Sequence, residues 1–171
     1  LWTLPMFHVN GWGHIYAITG LGAKHVCERG VDAEWLFDTV VRENVSYLCG
    51  APTVLNMLID YYDDHDVPTQ GENDVRIATA GSAPPEATIR TVEDEFGWYL
   101  NHVYGATETG PLVTTSDARR MFDDDDRGRF RVKKRQGLGF LGTELRVVDE
   151  DGEDVPATTR PSARWSSVAT K

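Results

Sequence analysis

VRIATAGSAPPEATIRTVEDEFGWYLNHVY, residues Val75 to Tyr104, reads as strand, turn, helix and strand. Val75–Ala80 is a short β-rich run, and Gly81-Ser82-Ala83-Pro84 carries the residue types of a tight turn. Pro85–Phe96 then sets Ile89, Val92 and Phe96 at helical spacing before Trp98–Tyr104 returns to strand. Two strands joined through a helix pair in parallel, because that crossover needs roughly a dozen residues or more. Upstream the same rhythm repeats. Ala23–Val26 is expected as a strand, and Asp32 as the cap of a helix carrying Trp35, Leu36, Val40 and Val41. Val45–Cys49 is expected as a second strand. Pro52 opens another helix, with Val54, Leu55, Leu58, Ile59 and Tyr62 as its apolar stripe. The fold class that follows is α/β, a partial parallel sheet with flanking helices.

Beyond Gly110 the rhythm changes. Asp117–Arg135 is highly charged, with the run Asp123–Asp126 followed by Arg127, Arg129 and Arg131. It reads as a solvated loop or helix end, since the spacing of a calcium-binding loop is absent. Thr143–Asp149 alternates apolar and polar residues, and Glu150-Asp151-Gly152 follows as a turn, giving a β-hairpin-like segment near the C-terminus.

Composition narrows the function. Asp and Glu number 27 against 17 Lys and Arg, for a formal net charge of −10. That sign disfavours a nucleic-acid partner. The lysines are Lys24, Lys133, Lys134 and Lys171 alone. Acid excess with scarce lysine suits a protein working in high salt, as in a halophile, where screening removes self-repulsion. No apolar run reaches membrane-spanning length, so no transmembrane segment is expected. Cys27 and Cys49 stand apart with no metal-ligand spacing and read as small buried residues of a reducing compartment, which implies a cytoplasmic location. The chain opens at Leu1 inside an apolar segment, which suggests a missing upstream piece.

In an open parallel sheet, ligands sit beyond the carboxyl ends of the strands. Two segments fall there: Gly81–Pro84 and Tyr104-Gly105-Ala106-Thr107-Glu108-Thr109-Gly110. The second offers a ring for stacking, a flexible glycine, hydroxyls and a carboxylate able to hold a hard cation. The bland reading of the same residues is a turn closed by Thr and Glu as a helix cap. YGATETGP closely resembles a motif of the AMP-forming acyl-CoA synthetases, luciferases and peptide-synthetase adenylation domains. LPMFHVNGWG at Leu4–Gly13 is similar to the acyl-pocket motif of that superfamily, in its medium- and long-chain ligase form, and GSAPP at Gly81–Pro85 resembles its adenine-side loop. All three stand in family order, over roughly Leu1–Pro156.

The resemblance implies ATP (with AMP as product), Mg²⁺ and coenzyme A as cofactors, and a fatty acid or similar carboxylate as substrate. Tyr104 would stack on adenine beside Gly81, Ser82 and Ala83, with Gly105 in the same nucleotide site. Thr107 would donate its hydroxyl to the α-phosphate, and Glu108 would coordinate Mg²⁺. His8 would border the acyl carboxylate, making Thr107, Glu108 and His8 the catalytic set; Phe7, His8 and Trp12 would form the acyl pocket. Without the resemblance, His8 and Trp12 read as packing residues. His14, His25, His65 and His102 carry no such argument and read as structural or exposed.

Nothing in these residues resembles the family's phosphate loop, its TGD motif or its small C-terminal domain with the adenylation lysine. The expectation is therefore residues 1–156 as a fragment of an AMP-binding domain, inactive alone. Residues 157–171, ATTRPSARWSSVATK, lack the expected GEVVVRG-like strand. Reading one nucleotide earlier recovers such a strand from Ala163–Thr170, so this tail is expected to be frameshifted and disordered. Two other readings stand beside the fragment: a non-catalytic nucleotide- or acyl-binding module, and an interaction protein that keeps the fold and binds no nucleotide.

Overall fold

The computed structural model describes residues 1–110, 112–117 and 126–155, with the backbone alone for residues 9, 10, 12 and 126. The expected tail at 157–171 and most of the acidic run lie outside the described residues. A five-stranded mixed sheet runs in the order β1 (Tyr47–Cys49), β2 (Arg76–Thr79), β3 (Tyr99–Tyr104), β4 (Thr114–Thr115) and β5 (Leu138–Gly139). The first three strands pair in parallel, as their helical crossovers require, and the last two extend the sheet antiparallel.

Helices α1 (Val9–Gly20), α2 (Ala33–Arg42), α3 (Pro52–Asp64), α4 (Glu86–Arg90) and α5 (Asp126–Lys133) complete the fold. Asp32 caps α2 by accepting from the Trp35 N–H at 2.9 Å. Asn44, at φ 52, turns the chain out of that helix, and its side-chain oxygen accepts from the Asn73 N–H at 2.8 Å. Pro52 starts α3, where a missing N–H costs nothing. Helix α4 is shorter than the expected Pro85–Phe96. From Thr91 to Glu95 it widens into a π turn, closed by the Phe96 N–H on the Thr91 carbonyl at 3.0 Å. The wider turn buries Val92 and Phe96 together while carrying Glu93 toward the backbone of Leu100.

The core lies against one face of the sheet. Leu48, Ile77 and Leu100 share a rung there and pack with Leu36, Leu55 and Ile89 from the helices. Phe37, Phe96 and Trp98 form an aromatic cluster at one end, with Phe37 and Phe96 edge to face at 5.4 Å. Trp98 donates its indole N–H to the Thr69 carbonyl at 2.6 Å. Strand alternation sends Cys49, Ala78 and Asn101 to the opposite face, where they line a cavity.

Two expectations need correction. Ala23–Val26 is no strand: that segment's sheet-like contact is a single parallel bridge between Trp2 and Cys27, with the Trp2 N–H on the Val26 carbonyl at 2.8 Å. The chain there is held by side chains instead, since the Trp2 indole N–H donates to His25 Nδ1 at 3.0 Å. The described end of the charged run is not a solvated loop, because α5 packs on α4. Arg90 lies over the Phe130 ring at 4.0 Å, and the Lys133 ammonium is buried, donating to Glu93 and to the Leu100 carbonyl. The expected β-hairpin-like segment is present: Val148 and Asp154 form an antiparallel bridge, the Asp149 N–H donates to the Glu153 carbonyl at 3.0 Å and the Val155 N–H to the Val147 carbonyl at 2.9 Å, around a turn in which Gly152 takes φ +84.

Candidate functional site

The ends of β1, β2 and β3 open onto a cavity of about 440 Å³. Leu4, Pro5 and His8 reach it from the segment before α1, Gly81 from the turn after β2, and Asn101 and Val103 from β3. It therefore joins the Leu4–Gly13 motif to the Gly81 loop, two stretches far apart in sequence. Gly81 holds φ +97, with no atom within 4 Å of where a Cβ would stand. The glycine is required by the backbone conformation, and the space beside it is open.

After β3 the chain makes a short 3₁₀ turn at Thr107–Thr109. Thr109 closes it: the Ala106 N–H donates to Thr109 Oγ1 at 2.9 Å, and that hydroxyl donates back to the Ala106 carbonyl at 3.0 Å. Thr107 and Glu108 are left exposed, without a hydrogen-bond or ion-pair partner among the described residues. Gly110 at φ +57 ends the turn. So one residue of the motif does the structural work, and its two other polar side chains stand free for a ligand. Tyr104 is 37% exposed at the tip of β3.

The cavity gathers only some of the expected residues. His8 and Gly81 line it; Ser82, Ala83, Tyr104, Thr107 and Glu108 are exposed on the two loops at the strand ends, and Gly105 is half-buried between them. Phe7 is 86% exposed and does not line the cavity. Trp12 falls within α1, and its side chain lies outside the described residues.

Among the lining residues that sequence reasoning missed are His14, Tyr47, Cys49 and Asn101. His14 Nε2 lies 3.0 Å from the Tyr47 hydroxyl, which also accepts from the Cys49 thiol at 3.4 Å. Burial pushes both the Tyr47 phenol and the Cys49 thiol up. Alternation in Val45–Cys49 carried the signal, placing residues 47 and 49 on the face away from Leu48. His102, by contrast, is in the core, with its ring Nδ1 at 3.1 Å from the Arg135 carbonyl.

Among the described residues no three His, Cys, Asp or Glu side chains converge on a point where a metal ion could sit. Glu108 could hold a hard cation only together with another oxygen donor, as a Mg²⁺ shared with phosphate oxygens requires. Its exposed, unpaired carboxylate beside the Thr107 hydroxyl fits that role.

Comparisons with known proteins point the same way. The family model described as AMP-binding enzyme matches residues 1–160. The chain is 43% identical over 151 residues to probable acyl-activating enzyme 10 of Arabidopsis thaliana, covering 87% of this chain and 27% of that protein. It is 38% identical over 157 residues to 4-hydroxybutyrate–CoA ligase 2 of Metallosphaera sedula, covering 91% of this chain and 28% of that one. Among solved structures, a long-chain-fatty-acid–CoA ligase from Archaeoglobus fulgidus superposes with a TM-score of 0.72 at 21% identity, over 90% of this chain and 31% of that one. The fold is thus that of the N-terminal domain of the adenylate-forming enzymes. The chain spans about 27% of the length of the first of these curated relatives.

Proposed function

Because the chain belongs to the AMP-binding enzyme family, we propose that it forms the central part of an ATP-dependent acyl-CoA ligase. In that reaction a carboxylate attacks the α-phosphate of ATP, giving acyl-AMP and pyrophosphate, and the coenzyme A thiolate then displaces AMP to form the thioester. The carrying observation is the single cavity that His8 and Gly81 both line, since a reaction between an acid and a nucleotide needs both ends in one place.

Tyr104 stacks on the adenine, with Gly81, Ser82, Ala83 and Gly105 shaping the loops around it. Thr107 donates its hydroxyl to the α-phosphate, where negative charge develops during attack. Glu108 holds Mg²⁺, which when bound neutralises phosphate charge. His8 borders the carboxylate, while Trp12 belongs to the wall or gate of the acyl site, and Phe7, which does not line the cavity, to its gate. Both cysteines are free, with Cys27 exposed rather than buried as the sequence suggested, and the setting proposed for them is a reducing, cytoplasmic one.

A second reading is a binding module without turnover. The two readings share one experiment. AMP titrated into the chain should bind, and Tyr104→Ala should weaken it roughly tenfold, as loss of a base-stacking ring does. Pyrophosphate release with ATP and a carboxylic acid should stay at the level of a Glu108→Ala control. Unchanged AMP affinity in Tyr104→Ala would remove the nucleotide site from this place; turnover above the control would remove the binding-module reading.

A further inference from the structure

We propose that the cavity takes a short acyl group bearing a hydroxyl, received by Asn101, in preference to a plain alkyl chain. This rests on the cavity being the acyl site, and it departs from the medium- and long-chain form that the Leu4–Gly13 motif resembles.

The parallel register puts Cys49, Ala78 and Asn101 on one rung of the cavity floor. That rung lies two residues inward from Ala80 and Val103 at the strand ends, a depth of about 7 Å. An acyl group entering with its carboxylate near His8 and Gly81 therefore meets the Asn101 amide after a short run. Two residues further in, the floor is closed by Tyr47, whose hydroxyl is already engaged by His14 and Cys49. Ala78 and Ala80, the small side chains of β2, keep the space above the floor open.

On this rung of the floor Asn101 has unused hydrogen-bonding capacity. Its Oδ1 accepts from the Thr115 hydroxyl at 3.1 Å, and its Nδ2 has no partner among the described residues. A threonine hydroxyl can serve either end of an amide, so turning the amide over exchanges the two ends without losing the Thr115 bond. In one orientation the cavity is offered a donor, in the other an acceptor. A hydroxyl is the small substituent that answers both. An alkyl chain laid over the same spot would strip water from the amide and return nothing, a loss that a core of wholly apolar side chains would not impose.

The test is calorimetric titration of the whole 171-residue chain with AMP and with three non-hydrolysable acyl-sulfamoyl adenosines, carrying 4-hydroxybutyryl, butyryl and octanoyl groups. The hydroxylated probe should bind about tenfold more tightly than the butyryl one, the size of one buried hydrogen bond, and octanoyl should gain nothing over butyryl. Asn101→Leu should abolish the preference while AMP affinity and the circular dichroism spectrum stay unchanged. Asn101→Ala serves the same purpose if the larger side chain disturbs the sheet. AMP binding with equal affinity for all three probes, or with octanoyl tightest, would overturn the hydroxyl assignment and leave the ligase reading standing. If AMP itself fails to bind, the ligase reading falls and takes the acyl assignment with it.

Discussion

Replacing Glu93 by alanine should destabilise the protein far more than replacing its partner. The Lys133 side chain is 0% exposed and that of Glu93 is 5% exposed, so this is an ion pair almost wholly out of water. Glu93 Oε1 accepts from the Lys133 ammonium and from the Leu100 N–H at 3.0 Å, while Arg129 stands 3.5 Å from Oε2. Lys133 also donates to the Leu100 carbonyl at 2.6 Å and lies over the Tyr99 ring at 3.8 Å. Glu93→Ala strands a buried ammonium and a backbone N–H, which costs about 3–5 kcal/mol. That is a large share of the roughly 5–15 kcal/mol by which a domain is stable. Lys133→Met leaves the carboxylate with two remaining partners, one of which reaches solvent, and should cost about 1–3 kcal/mol. The double variant Glu93→Leu with Lys133→Met removes both charges and should fall close to wild type, because an apolar pair of similar volume avoids the desolvation.

Urea unfolding followed by tryptophan fluorescence reads all three, since buried Trp98 packs against Phe96 at the same end of the sheet. A Glu93→Ala loss below about 1 kcal/mol, or a double variant as unstable as the two singles combined, would refute the reasoning. The clamp matters beyond stability. It grips both backbone groups of Leu100, the residue before Asn101, and so fixes where the cavity floor lies.

Two further outcomes follow from charge. Burial pulls the His102 imidazole below its ordinary range, so near pH 6 the unfolded chain binds more protons than the folded one. Stability is therefore lost as pH falls through that range, by up to about 1.4 kcal/mol per pH unit, and a His102→Gln variant should show a flatter slope in urea titrations between pH 7 and about 5; equal slopes would exclude His102 as the source. The formal charge of −10 should also make folding salt-dependent, with helical circular dichroism rising from low to molar KCl. A flat or falling signal across that titration argues against adaptation to high salt.

The parallel half of the sheet was legible because each element announced its own period. Asp32 and Pro52 marked helix starts that the structure keeps, and Trp98–Tyr104 alternates as an inner strand must. What was not legible depends on contacts between distant residues. Helix α1, with Gly11 and Gly13 inside it, carries little helical signal, yet Gly11 is needed there: a Cβ would stand 2.5 Å from the Pro5 carbonyl oxygen, where the chain folds back toward the cavity. Helix α5 has charges on every side, and it is the buried Phe130 and Lys133, docked on α4 and β3, that hold it. Its ordering is a tertiary event that no local pattern records.

The site divides along the same line. His8 and Gly81 could be picked from short motifs, but Asn101 and Cys49 acquire meaning only through register across three strands. A slip of one residue in β3 would bring Leu100 and His102 to the cavity and press the Asn101 amide into the packing around Ile77 and Ile89. Such a slip would bury an unpaired amide and expose a leucine at once, so the core enforces the register without reference to any ligand. The polar rung on the opposite face is then a by-product of correct core packing. Its chemistry can change, at positions 49, 78 and 101, without touching the residues that hold the sheet together. On the proposed reading, acyl preference is free to vary while the loops at the strand ends stay as they are.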